Sequence, residues 1–242
     1  MTARVLTLRR LLALLALAAS FVAAFYWIGA PPAQAGGPLV VGGAFGPDGQ
    51  PFTWSAAPIQ YNTDGGMLGM LNNATANARV VAMFDTWQAV STATISYNRA
   101  GSLTGAGFDG DITDVPEYNT FDCGGANVSQ NPIIYDTDGS IFAALGFDSS
   151  VIGFAGPCSV SGAGTINNGR AALNGDFIDG GPDDLSTSEF NGVFIHEFGH
   201  FSGLDHDQIN ENCLFSLGGC AGLPDTIGLP TMFPILLQGL QE

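Results

Sequence analysis

The chain has 242 residues, 46% of them hydrophobic and 12% charged, with 34 glycines, the balance of a loop-rich globular protein. Six arginines, no lysine and 22 acidic residues give a formal charge of −16, which argues against nucleic acid or an anionic membrane surface as a partner.

Residues 1–35 read as a secretory signal peptide. Arg4, Arg9 and Arg10 form a positive start, Leu11 to Ala30 an apolar run, and Ala33-Gln34-Ala35 a small-x-small cleavage site after Pro31-Pro32. An uncleaved membrane anchor is the competing reading, since the run reaches the roughly 20 residues a spanning helix needs. Either way the rest of the chain is expected outside the cytoplasm, secreted or in the cell envelope, with no stable membrane association if cleavage occurs. Without that segment three arginines face 22 acidic residues.

Export favours disulfides for the four cysteines, Cys123, Cys158, Cys213 and Cys220. Three pairings are open. Proximity favours Cys213–Cys220 and leaves Cys123–Cys158, while the short C-x-x-C spacings of a structural zinc site are missing.

Residues 36–51 read as a loose, glycine-rich leader. Phe52 to Tyr61 predicts a first strand, and Asn73 to Val90 an amphipathic helix with Val80, Val81, Phe84, Trp87 and Val90 on one face. Thr92 to Tyr97 predicts a second strand, and Ala100 to Val128 a glycine- and aspartate-rich loop. Pro132 to Tyr135, Val151 to Ala155 and Ile166 to Phe177 are further strands, the last interrupted by Asn-Gly turns. Ser186 to Phe201 is the strongest helix: Ser186 and Glu189 form a capping box, and Phe190, Val193, Phe194, Phe198 and Phe201 form its apolar stripe. The expected fold is α/β (α+β), mainly one twisted sheet with this helix and a second long one.

All three histidines fall within His196-Glu197-Phe198-Gly199-His200-Phe201-Ser202-Gly203-Leu204-Asp205-His206. Positions 196 and 200 project from one helix face and can share an ion. A sharp turn, for which Gly203 supplies the conformational freedom, can bring His206 to the same ion. Three imidazoles around Zn²⁺ leave a fourth position for water, the mark of a catalytic site. Glu197, beside the first ligand, is then the general base that takes a proton from that water and delivers it to the leaving amine.

With these residues on view, the chain resembles the metzincin zinc endopeptidases, whose extended motif is H-E-x-x-H-x-x-G-x-x-H followed by a Met-turn. Pro230-Thr231-Met232-Phe233-Pro234 is the Met-turn candidate, and Met-aromatic-Pro is most similar to the matrixins. The resemblance implies a zincin-like fold, with Met232 as a hydrophobic floor under the metal. The implied catalytic subdomain covers 52–206, followed by a small irregular C-terminal subdomain over 207–242 that could be truncated. Three departures stand out: no histidine remains for a second, structural zinc, no cysteine precedes Cys123 to act as a latency switch, and Asp207 resembles the adamalysins instead.

Asp136-x-Asp138-Gly139 resembles the opening of a calcium loop, without a glutamate at position 12, where Phe147 stands. Calcium at Asp136 and Asp138 is therefore a secondary expectation, and Asp109, Asp111 and Asp114 form a second acidic cluster. The expected protein is a monomeric, exported zinc endopeptidase acting on a protein or peptide. The alternative is a non-catalytic binding module stabilised by the metal.

Overall fold

The computed structural model describes residues 38–40, 42, 49–206 and 232. Among these, six strands form one sheet: β1 (Thr53–Trp54), β2 (Ile59–Thr63), β3 (Tyr97–Ser102), β4 (Pro132–Asp136), β5 (Gly153–Ser161) and β6 (Thr165–Asn174). Four α-helices accompany them: α1 (Asn73–Gln88), α2 (Val115–Phe121), α3 (Ser140–Leu145) and α4 (Thr187–Ser202). The sheet runs β1-β6-β4-β2-β3, with β5 also on β6. All pairs are parallel except the β5–β6 hairpin. The coarse expectation of an α/β protein built on one sheet therefore holds.

Strand alternation sorts the core into two layers. Ile133, Tyr135, Ala171 and Leu173 point to one face and pack with Val80 and Phe84 of α1 and Phe190, Phe194, Phe198 and Phe201 of α4. Ile134 and Ala172 point to the other, against Tyr118 and Phe121 of α2 and Ile141 and Phe142 of α3. With both faces covered, every residue of β4 is buried.

Helix α4 begins where its sequence says. Ser186 caps it, its hydroxyl accepting from Glu189 N–H while the Glu189 carboxylate accepts from Ser186 N–H. The five stripe residues are all buried, and Phe198 stacks on Phe84 of α1 with centroids 3.9 Å apart. Gly192 and Gly199 each cost about 1 kcal/mol of helix propensity. Burying one phenylalanine contributes about 1.5–3 kcal/mol, so tertiary packing dominates.

Several boundaries move. The single strand expected over 52–61 is two, parted at Ser55–Pro58: β1 joins β6, whereas β2 joins β3 and β4. The second strand lies at Tyr97–Ser102 and not at 92–97, because pairing begins at Ile59↔Tyr97, and Thr92 and Thr94 are exposed. The predicted loop 100–128 contains the end of β3 and the helix α2, which Asp114 caps by accepting from Glu117 N–H. α3, bracketed by Gly139 and Gly146, was not predicted; with only Ile141 and Phe142 buried it has little periodic signal. β5 continues through Pro157 to Ser161, and β6 passes through Asn167-Asn168-Gly169 unbroken, the irregularity appearing as register shifts in β5. α1 ends at Gln88, and Val90 beyond it is exposed.

Cys123 and Cys158 form a disulfide that ties the end of α2 to β5. Beside it, Arg170 pairs with Asp122 and lies over the Phe154 ring. Cys213 and Cys220, the segment 1–35 and the C-terminal subdomain apart from Met232 lie outside the described residues.

Candidate metal centre

The last turns of α4 carry His196 and His200 on one side, and Gly203 ends the helix with φ +100°, donating to the carbonyls of Gly199 and His200. A side chain at this backbone conformation is strained, and a Cβ would also lie 3.0 Å from Ile166 Cδ1. The chain reverses there and returns His206 to the helix.

His200 Nε2 then lies 3.1 Å from His196 Nε2 and 3.0 Å from His206 Nε2. Four ligands placed tetrahedrally at zinc–nitrogen distances have edges of about 3.3 Å, so these two separations are near the spacing such an ion imposes, and the three side chains offer ligand atoms within 4.8 Å of one another. Among the described residues this is the one group of three or more His, Cys, Asp or Glu side chains close enough to share a metal. An all-imidazole set suits zinc and its transition-metal neighbours and does not suit calcium or magnesium.

The tautomer is set from behind. His200 Nδ1 lies 2.8 Å from the carbonyl oxygen of Leu204, which can only accept, so Nδ1 carries the proton and Nε2 keeps its lone pair for a metal. Burial of His200 lowers its pKa and favours the same neutral ring, against the opposing pull of that carbonyl.

Glu197 is 7% exposed, and its Oε2 has no hydrogen-bond partner among the described residues. Burial raises its carboxyl to about 8. It faces the start of β5: a Cβ on Gly153 would lie 3.0 Å from Glu197 Cγ. In the same turn of the helix Gly199 meets Met232, and a Cβ on Gly199 would collide with the Met232 sulfur.

Side chains from distant elements take up carbonyls at this end of α4. Trp87 Nε1 donates to the Ile195 carbonyl at 2.8 Å and Trp54 Nε1 to the Phe201 carbonyl at 3.1 Å. Tyr97 Oη and Ser202 Oγ lie 2.5 Å apart, and Ser202 Oγ also donates to the Phe198 carbonyl.

The structure thus brings together His196, His200, His206, Glu197 and Met232. Asp136 and Asp138 lie elsewhere, at the entry to α3. Asp136 Oδ2 accepts from Phe142 N–H at 2.8 Å, and Asp138 Oδ1 from Ser140 N–H at 3.1 Å. Asp109 accepts from Asp111 N–H in its own turn. Sequence reasoning did not find Gly153, the Leu204 carbonyl or the buried Asp64. The roles of the first two depend on contacts between distant segments, for which the local sequence carries no signal.

Comparison of the chain with models of known protein families, and with curated proteins, gives no match to either.

Proposed function

We propose that this chain is an exported zinc-dependent endopeptidase of metzincin type, matrixin-like in its Met-turn, acting on proteins or peptides. The observation that carries the reading is the convergence of three imidazoles beside a buried glutamate, one of whose oxygens has no hydrogen-bond partner among the described residues. His196, His200 and His206 would hold the ion. When bound, zinc supplies a lowered pKa for water and polarisation of the scissile carbonyl.

The chain's own groups do the rest. Glu197 takes the proton of the attacking water on a carboxylate oxygen and passes it to the departing amine. Burial beside the start of β5 holds its carboxylate in place. Met232 backs Gly199, in the helical turn that carries His196 and His200.

The substrate backbone is assigned to β5. Among the described residues β5 pairs with β6 on one side and with no strand on the other, leaving an edge to which an extended peptide can add. Gly153 at its start brings that edge against Glu197. The disulfide Cys123–Cys158 accords with export. Asp136 Oδ2 and Asp138 Oδ1 serve the turn into α3, while Asp136 Oδ1 is buried with no hydrogen-bond partner among the described residues.

The test is peptide cleavage by the zinc-loaded chain beside Glu197→Ala, with bound zinc quantified in both. Cleavage by the first alone, at equal zinc, is the expected result. Equal zinc with no cleavage of a broad peptide library by either would favour a metal-stabilised binding module.

A further inference from the structure

The turn between the second and third histidines is short, and its placement decides whether His206 reaches His200. Inside the motif it is held by Gly203 N–H on the His200 carbonyl at 3.0 Å and Leu204 N–H on the Gly199 carbonyl at 2.9 Å. These bonds fix the turn to the helix end. They tie it only to the end of its own helix.

A second restraint comes from far away in sequence. Leu39 N–H donates to the Gly203 carbonyl at 2.8 Å, and Pro38 pairs with Leu204 in an isolated antiparallel bridge. The same short stretch is anchored on its other side, where the Val40 carbonyl accepts from Phe52 N–H at 3.0 Å and Gly42 N–H donates to the Gln50 carbonyl at 2.8 Å. Thr53 and Trp54 follow at once and join β6. Residues 38–40 are thus a strap whose one edge is tied to Phe52, directly before β1, and whose other edge grips the turn at 203–204.

The residue gripped is also the one that orients the metal ligand. Leu204 offers its carbonyl to His200 Nδ1, and Asp205 and His206 follow it directly. A shift of Leu204 would therefore turn the His200 ring and displace His206 together. We infer that residues 38–40 are a positioning element for the metal centre: the Leu39 N–H bond to Gly203 holds the 203–206 turn in the conformation that lets three histidines converge. This rests on the reading of the triad as a metal site, and it adds a part of the chain lying more than 150 residues upstream of the motif.

The consequence is that metal affinity and the docking of the strap are linked, each favouring the other. The leader region is then a working part of the site and not a spacer.

The experiment compares Zn²⁺ affinity, by chelator competition, and the visible absorption of the Co²⁺-loaded protein for the full chain, Leu39→Pro and Leu39→Ala. Leu39→Pro removes the donated N–H and touches no ligand; Leu39→Ala keeps it. The expected result is Zn²⁺ binding by Leu39→Pro weakened about tenfold, the low end of what losing an outer-shell partner costs, with altered Co²⁺ bands. Leu39→Ala should match the unsubstituted chain. Amide exchange at Leu39 in the unsubstituted chain supplies the second measurement, independent of how the proline variant folds, and Zn²⁺ should slow it. Unchanged affinity and bands in Leu39→Pro, or exchange at Leu39 indifferent to Zn²⁺, would overturn the strap while leaving the metal site standing. Failure of the unsubstituted chain to bind either ion would instead overturn the metal reading itself.

Discussion

Gly153 and Glu197 meet where the first residue of β5 crosses α4, and the space between them is tight for a side chain. A Cβ on Gly153 would lie 3.0 Å from Glu197 Cγ and 3.2 Å from the Ala172 carbonyl oxygen. The backbone of β6 cannot yield, so the glutamate must. Gly153→Val is expected to lower peptide cleavage by about 100-fold, since misplacing a reacting group by roughly 1 Å has that effect. Bound zinc should stay at the level of the unsubstituted chain, because no histidine is touched. A variant that keeps full activity would remove Gly153 from the site.

Gly199 and Met232 make a comparable pair on the other side of the helix. A Cβ on Gly199 would collide with the methionine sulfur and come within 2.9 Å of Trp87 Cζ2. Overpacking of this kind costs about 1–3 kcal/mol, despite the better helix propensity of alanine. Gly199→Ala should therefore shift the urea midpoint downward. Met232→Ala, at a residue 1% exposed, should lose about 2–5 kcal/mol by leaving a cavity. Combining the two should cost less than their sum, because the smaller side chain makes room for the added methyl.

Removing the metal should destabilise the fold as well as silence it. A ligand present at about 1,000 times its dissociation constant stabilises the native state by about 4 kcal/mol. For a chain of this size that corresponds to about 8–16 °C in Tm. Calorimetry with and without a chelator is the check, and His206→Ala should abolish the difference. An identical Tm in both conditions would count against the triad as a metal site.

Asp64 predicts a pH dependence. It is fully buried, and its carboxylate accepts from the amides of Gly66, Ile112 and Tyr135. Burial outweighs these donors and raises its carboxyl to about 7. The folded state therefore binds the proton more tightly than the unfolded chain, whose value is near 3.8. Its contribution favours folding most below about pH 4 and is lost progressively as pH rises to about 7. Asp64→Asn should be less stable at acid pH, through a mismatched amide donor, and the gap to the unsubstituted chain should narrow toward pH 7. Denaturant titrations of both proteins from pH 4 to 8 measure that gap.

What could be read from sequence follows the range of the forces involved. α4 was legible to within one residue because its signals are local: a capping box, an aromatic stripe and a glycine stop. The convergence of the three histidines was legible because two share a helix face and the third follows a turn only glycine makes easily. α2 and α3 were not legible, since each buries only two residues. The strand boundaries at 53–63 and 97–102 depend on which partner each backbone finds, as does the length of β5 through Pro157. The same holds within the site. Glu197 could be named from its neighbours, but nothing near Gly153 or Leu39 in sequence announces contact with residues 44 and 164 positions later.

The indole bonds at the end of α4 carry one further consequence. Of the three tryptophans, Trp54 and Trp87 donate to carbonyls on either side of the ligand pair, at Phe201 and Ile195. Indole emission depends on the donor state and polarity around its nitrogen, so any loosening of the helix end alters two of the chain's three tryptophans at once. The molecule carries its own optical gauge of the order in its histidine cluster, and no label is needed to follow it.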